Sequence, residues 1–153
     1  MAEFKNILYP IALNDISKKV APYVVTLAKQ LDANVHLIHV LRRFDWFVDT
    51  YVSDDAPKPD FKRIASDFEG QVLDQAQQKL ASFVKKYLKD ARVAESKVVS
   101  GTHYKQILDY AETAGIDLII MGRGKTIQKV VFGSVAEKVC RLSPVPVMLV
   151  KST

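Results

Sequence analysis

Apolar positions along the chain fall into two rhythms, short continuous runs and longer four-residue steps. The runs read as strands at residues 5–13 (KNILYPIAL), 34–41 (NVHLIHVL), 93–100 (VAESKVVS), 116–121 and 145–151 (VPVMLVK). Continuous runs suit strands buried on both faces, whereas the alternating start of 93–100 suits a more exposed one. Helical spacing follows the first run, with Asn14, Asp15 and Ser17 as capping residues and Val20, Val24, Leu27, Ala28 and Leu31 as the apolar stripe. Pro22 lies within that stripe and predicts an irregular first turn, because proline is tolerated near a helix start. A long helix is predicted over 61–90, its stripe running Ile64, Phe68, Val72, Ala76, Leu80, Val84, Leu88, widened by Leu73, Phe83 and Tyr87. A third helix starts after Thr102, carries Ile107, Leu108, Tyr110 and Ala111, and stops at Gly115. The last carries Val135, Ala136, Val139, Cys140 and Leu142 and is broken by Ser143-Pro144. Cys140 is expected to be a buried structural thiol. Segment 42–60 is irregular and holds Phe44, Trp46, Phe47 and Tyr51, read as packing over a core edge in preference to covering a ligand.

Alternating strands and helices imply a single α/β domain over residues 1–153, a doubly wound parallel sheet with helices on both faces. Ligands of such sheets sit beyond the C-terminal strand ends, where the strand order reverses. Pro10, Ile11 and Ala12 end the first strand, and Met121 and Gly122 end the fourth. His36 and His39 occupy the second strand at odd spacing, hence on opposite faces, and are expected to be local hydrogen-bonding residues, not a metal pair.

The stretch 117–135, DLIIMGRGKTIQKVVFGSV, passes from strand through Gly122 and Gly124 to Gly133, Ser134 and a helix start. Such a loop can hold a phosphate, since backbone amides approach an anion at a helix N-terminus. Taken alone it reads better as a strand turn followed by a capping box, because Ser134-Val135-Ala136-Glu137 has the S-x-x-E form. Neither standard nucleotide motif fits. A P-loop needs glycine where Ile119 stands, and a dinucleotide fingerprint needs glycine where Ile127 stands.

Composition narrows the classes. The 153 residues are 48% hydrophobic and 25% charged, as in ordinary globular proteins. No apolar run reaches the length of a membrane span, and residues 1–5 lack the regions of a secretion signal. One cysteine excludes an internal disulfide, so the cytoplasm is the expected compartment. The net charge of +5 is modest, and Lys85, Lys86 and Lys89 read as a solvated helix face, not a nucleic-acid stripe.

The opening KNILYPIAL, the strand NVHLIHVL, the stretch ETAGIDLIIMG and the ending GSVAEKVCRLSPVPVMLVK together resemble the universal stress protein family over essentially the whole length. The resemblance implies a five-stranded sheet in the order 3-2-1-4-5 with four helices. It also implies a homodimer, paired in many members through the last strand, here 145–151. One branch of the family binds ATP through G-x2-G-x9-G-(S/T), with adenine near the first and second strand ends. Carried onto this chain, that site comprises Pro10, Ile11, Ala12, Val40, Met121, Gly122, Arg123, Gly124, Lys125, Gly133, Ser134 and Val135.

Two departures bear on the ligand. The interval here is G-x-G-x8-G-S, and Ala12 stands where an Asp commonly contacts the base. The shorter loop and the missing acceptor weaken ATP binding or restrict the site to a shorter nucleotide such as AMP, while Arg123 and Lys125 add positive charge. The chain is therefore expected to be a cytoplasmic stress-response dimer with an adenine nucleotide as regulatory ligand. The alternative is a dimeric interaction module with a vestigial pocket. Catalysis is not expected, since Asp117 lies at the wrong end of its strand and Asp15 reads as a helix-start residue. No metal site, membrane or nucleic-acid partner is expected.

Overall fold

A computed structural model describes residues 2–42, 58–123 and 133–151. The aromatic segment 44–51, with Gly124 and Lys125, lies outside the described residues. The element order is β1 (Asn6–Pro10), α1 (Asp15–Leu31), β2 (Asn34–Leu41), α2 (Lys58–Tyr87), β3 (Val93–Ser100), α3 (His103–Thr113), β4 (Leu118–Arg123), α4 (Ser134–Leu142) and β5 (Val147–Lys151). The strands form one sheet in the order β3-β2-β1-β4-β5, every pair parallel. This is the doubly wound arrangement expected from the alternation of strands and helices.

The sheet buries a core on each face. Ile7, Tyr9, Val35, Leu37 and Ile120 meet Val20, Val24 and Ala28 of α1 and Leu80 and Phe83 of α2. Leu8, Ile38, Val40, Ile119 and Met121 meet Ile107 and Ala111 of α3 and Ala136 and Val139 of α4. Strand alternation sends neighbouring residues to opposite cores, so the central strands are apolar without interruption. Edge strand β3 differs, with Ala94, Glu95, Ser96 and Lys97 all exposed. At the other edge, Val147, Met148 and Leu149 of β5 are half-buried.

Three expectations need correction. Pro22 lies inside α1, eighth of its 17 residues, not in the first turn. It is exposed there, so the Lys18 carbonyl that loses its N–H partner lies on the wet side of the helix. Phe68 is 49% exposed and outside the core. The 30 residues of α2 span about 45 Å at helical rise, well beyond the length of the strands it packs on, so its first turns run past the sheet. Cys140 is exposed. On α4 the residues facing the sheet are Ala136 and Val139, and Cys140 lies to one side of that narrow stripe.

Polar ties fix the ends of the sheet. Asp117 Oδ2 accepts from the backbone amides of Lys5 (2.8 Å) and Asn6 (2.9 Å), joining the starts of β1 and β4. Across β1, β2, β3 and α3 runs a side-chain chain in which Tyr110 Oη donates to Glu95 (2.5 Å), His36 Nδ1 meets Tyr110 Oη (2.9 Å) and His36 Nε2 meets Asn6 Oδ1 (3.2 Å). Burial holds the His36 imidazole below its ordinary pKa, with Glu95 pulling the other way.

At the opposite end, α1 is drawn down onto the sheet. Asn14 caps the helix by accepting from Ser17 N (3.2 Å) and from Ser17 Oγ (3.3 Å). Tyr9 Oη, buried under α1, donates to the Ser17 carbonyl (2.5 Å). Gly122, within β4, lies so close beneath the helix that a Cβ there would come 2.5 Å from Ile16 Cγ2 and 2.9 Å from Val20 Cγ2. Two outcomes follow. Gly122→Ala should lower the stability by about 1–3 kcal/mol through overpacking, read as a shifted denaturant midpoint. Because His36 is harder to protonate folded than unfolded, the unfolded chain binds more protons below about pH 6.5. Folding stability should therefore fall as pH is lowered from 7 towards 5, and His36→Gln should reduce that slope in thermal melts.

Candidate functional site

Past the C-terminal ends of β1, β2 and β4 lies a pocket of about 380 Å³, within the range of small-ligand sites. Each wall has a distinct origin. β1 ends at Pro10, and the chain bends through Ile11, Ala12 and Leu13 into the Asn14 cap of α1. Leu13 takes φ 57°, a left-handed conformation costly for a leucine. That bend leaves Ala12 exposed at the mouth while Ile11 stays buried. β2 supplies Ile38, His39 and Val40, β4 supplies Met121 and Gly122, α3 supplies His103 and Ile107, and α4 supplies Ser134 to Ala136 after Gly133.

Of the residues expected here, Pro10, Ile11, Ala12, Val40, Met121, Gly122, Gly133, Ser134 and Val135 all line this pocket. Arg123 closes β4 beside it, paired in register with Lys151, and is not among the lining residues. Gly122 is inside β4, opposite Val150, so its missing side chain serves the packing of α1 at this point.

Ser134 departs from the capping-box reading. Gly133 is the N-cap of α4, Ser134 is the first helical residue, and among the described residues no side chain caps the helix amides. Glu137 turns instead to Arg141 (3.0 Å), one turn on. Among the described residues, the first amides of α4 thus have no side-chain acceptor at the pocket wall. An uncapped N-terminus carrying an exposed hydroxyl is matched to an anion.

Two histidines complete the site. His39 Nδ1 lies 2.6 Å from the Ile11 carbonyl oxygen, spanning from β2 to the end of β1. This is the local hydrogen-bonding role expected for it, and its place in the pocket wall is additional. His103, the first residue of α3, was not singled out by sequence. Its imidazole is held below the ordinary pKa chiefly by burial, then by Arg42 and His39, against a hydrogen bond to the Val40 backbone. The one available signal was its position just after Gly101-Thr102, at a helix start facing the C-terminal sheet edge. Among the described residues no Asp or Glu lines the pocket, and no cluster of three or more His, Cys, Asp or Glu could hold a metal. Among the same residues no helix is long and apolar enough to cross a membrane.

Comparison with known proteins gives one consistent result. A family model described as the universal stress protein family matches residues 3–151. Universal stress protein MJ0531 of Methanocaldococcus jannaschii is 30% identical over 152 residues, covering 97% of this chain and 82% of the relative. The solved structure of MJ0577 from that organism superposes with a TM-score of 0.76 at 27% identity, over 98% of this chain and 97% of the other. Two more distant folds of the same kind were solved with nucleotides. One is a universal stress protein in complex with cAMP (TM-score 0.66, 14% identity, 99% of each chain). The other is an Archaeoglobus fulgidus universal stress protein in complex with dAMP (TM-score 0.60, 18% identity, 97% and 98%).

Proposed function

This chain belongs to the universal stress protein family, and on that premise we propose that its pocket takes an adenine nucleotide as a regulatory ligand. The observation that carries this reading is the meeting, in one cavity, of a helix N-terminus that no described side chain caps with an apolar cleft. The N-terminus of α4, with Ser134, suits the phosphate. The cleft between Ile11, Ile38, Val40 and Ile107 suits a flat purine, since apolar walls with few polar groups both hold and orient a base. A monophosphate fits this reading better than ATP. The loop interval is two residues shorter than the G-x2-G-x9-G form, and the two nucleotide-bound neighbours hold cAMP and dAMP. Ala12 offers the base a methyl group and no acceptor, which favours modest affinity.

The proposal extends to a cytoplasmic homodimer joined through β5, a role for the nucleotide as a bound signal instead of a substrate, and stress response as the setting. The half-buried apolar residues Val147, Met148 and Leu149 on an edge strand support that mode of pairing.

Native mass spectrometry of the purified chain, followed by calorimetric titration with AMP and ATP, tests both parts. The expected outcome is a dimer that carries or accepts AMP. Ser134→Ala should weaken AMP binding roughly three- to tenfold by loss of one hydrogen bond. Ser134→Asp should weaken it further by placing a carboxylate at the phosphate position. A chain that binds neither nucleotide below millimolar concentration would overturn the reading in favour of an interaction module.

A further inference from the structure

A second cavity, of about 500 Å³, lies between α1 and α2 on the face of the sheet that those helices cover. The corner Ala12-Leu13-Asn14 divides it from the pocket past the strand ends. Ala12 and Asn14 line that pocket, whereas Leu13 between them lines the groove. At the base of the groove Phe83 is buried, and the half-buried Leu13 and Tyr87 pack against the same core. The rim is polar and exposed, with Lys18 from α1 and Lys79 and Lys86 from α2.

The charge on this rim is unbalanced. Among the described residues no carboxylate lines the groove, and neither Lys79 nor Lys86 has a carboxylate partner. Lys18 meets Asp15 at 3.3 Å, but both side chains are well exposed, and such a pair carries little energy. Lys79 and Lys86 are seven residues apart on one helix, hence on one face and about 10 Å apart along the axis. Gln75, Gln78 and Ser82 add uncharged donors along the same wall.

That spacing selects the ligand. The oxygens of one phosphate or sulfate lie too close together to reach both lysines, whereas carboxylates carried along a peptide can. A nucleic acid would need ring faces on which to stack its bases. Here Phe83 is buried, and the Tyr87 ring already meets Phe83 (centroids 4.8 Å) and the Lys86 ammonium (5.3 Å). We propose that this groove docks an acidic segment of a partner protein. An apolar side chain of the segment enters over Leu13, Phe83 and Tyr87, and its carboxylates on either side meet Lys18, Lys79 and Lys86. This surface stands independently of the nucleotide reading.

The test is fluorescence anisotropy of the full chain with a fluorescein-labelled synthetic peptide of repeating Glu-Glu-Phe. Binding should be saturable and should weaken as salt is raised. Lys79→Glu combined with Lys86→Glu should weaken it roughly tenfold or more, because like charges then face each other. Lys85→Glu combined with Lys89→Glu changes the net charge equally, at exposed positions outside the lining, and should change binding less than about twofold. Peptides of repeating Gln-Gln-Phe and Glu-Glu-Ser should each bind more weakly than the parent, since one lacks the charge and the other the apolar side chain. Equal weakening by the two double variants would overturn the proposal, leaving only diffuse attraction between an acidic peptide and a basic protein. No saturable binding of the parent peptide would overturn it as well. Labelled oligothymidine bound as tightly as the peptide, and released by Lys79→Glu with Lys86→Glu, would overturn the choice of partner in favour of nucleic acid. If that charge reversal does not fold, as judged by circular dichroism, Lys79→Gln with Lys86→Gln decides in its place, set against Lys85→Gln with Lys89→Gln.

Discussion

The site depends on how closely α1 lies against the end of β4. A Cβ at Gly122 would come 2.5 Å from Ile16 Cγ2, so only a residue without a side chain lets the helix reach this depth. From the other side Tyr9 ties β1 to the Ser17 carbonyl in the first turn of the same helix. Helix, first strand and fourth strand are thus locked together at the point where strand order reverses. Pocket width is set by that lock, because Tyr9, Ile16, Ser17, Val20 and Gly122 are at once the packing contacts and part of the lining. Steric fit at one glycine therefore has a functional consequence. The strain held at Leu13 belongs to the same corner, as the chain must turn sharply there to deliver Asn14 to its capping position.

Electrostatically the cavity is one-sided. Its polar groups are amide dipoles, hydroxyls, a carboxamide and two imidazoles, with Arg42 reaching the second imidazole and no carboxylate among the lining residues. Such a surface attracts an anion. The carboxylates nearest in sequence are committed elsewhere. Asp15 pairs with Lys18 (3.3 Å), and Asp117 is consumed by two backbone amides at the far end of the sheet.

Much of this was legible in the sequence because it rests on periodicity. Continuous apolar runs located the strands, with the second and third matching at both ends and the others within three residues. The switch-point rule then brought Pro10, Ile11, Ala12 and Met121 to one place from opposite halves of the chain. What escaped depends on three-dimensional reach. Phe68 keeps perfect helical spacing, but spacing cannot tell where a helix outruns the sheet beneath it. Cys140 has the right interval from Ala136, yet a short helix over a sheet edge buries a narrower arc than a long one. The S-x-x-E pattern at Ser134 was outvoted by a glycine that took the cap position itself. His103 acquires meaning only from its neighbours Val40, His39 and Arg42, which lie more than sixty positions away.

The two margins of the sheet are chemically unequal. Along β3 the outward residues Ala94, Glu95, Ser96 and Lys97 mix charge and polarity in full exposure, a surface that refuses another strand. Along β5 three successive half-buried apolar residues leave the margin receptive. A sheet with one receptive margin has a valence of one. Under the pairing through β5 proposed above, edge-to-edge growth from such a unit closes at the first pairing and finds no second receptive margin on which to continue.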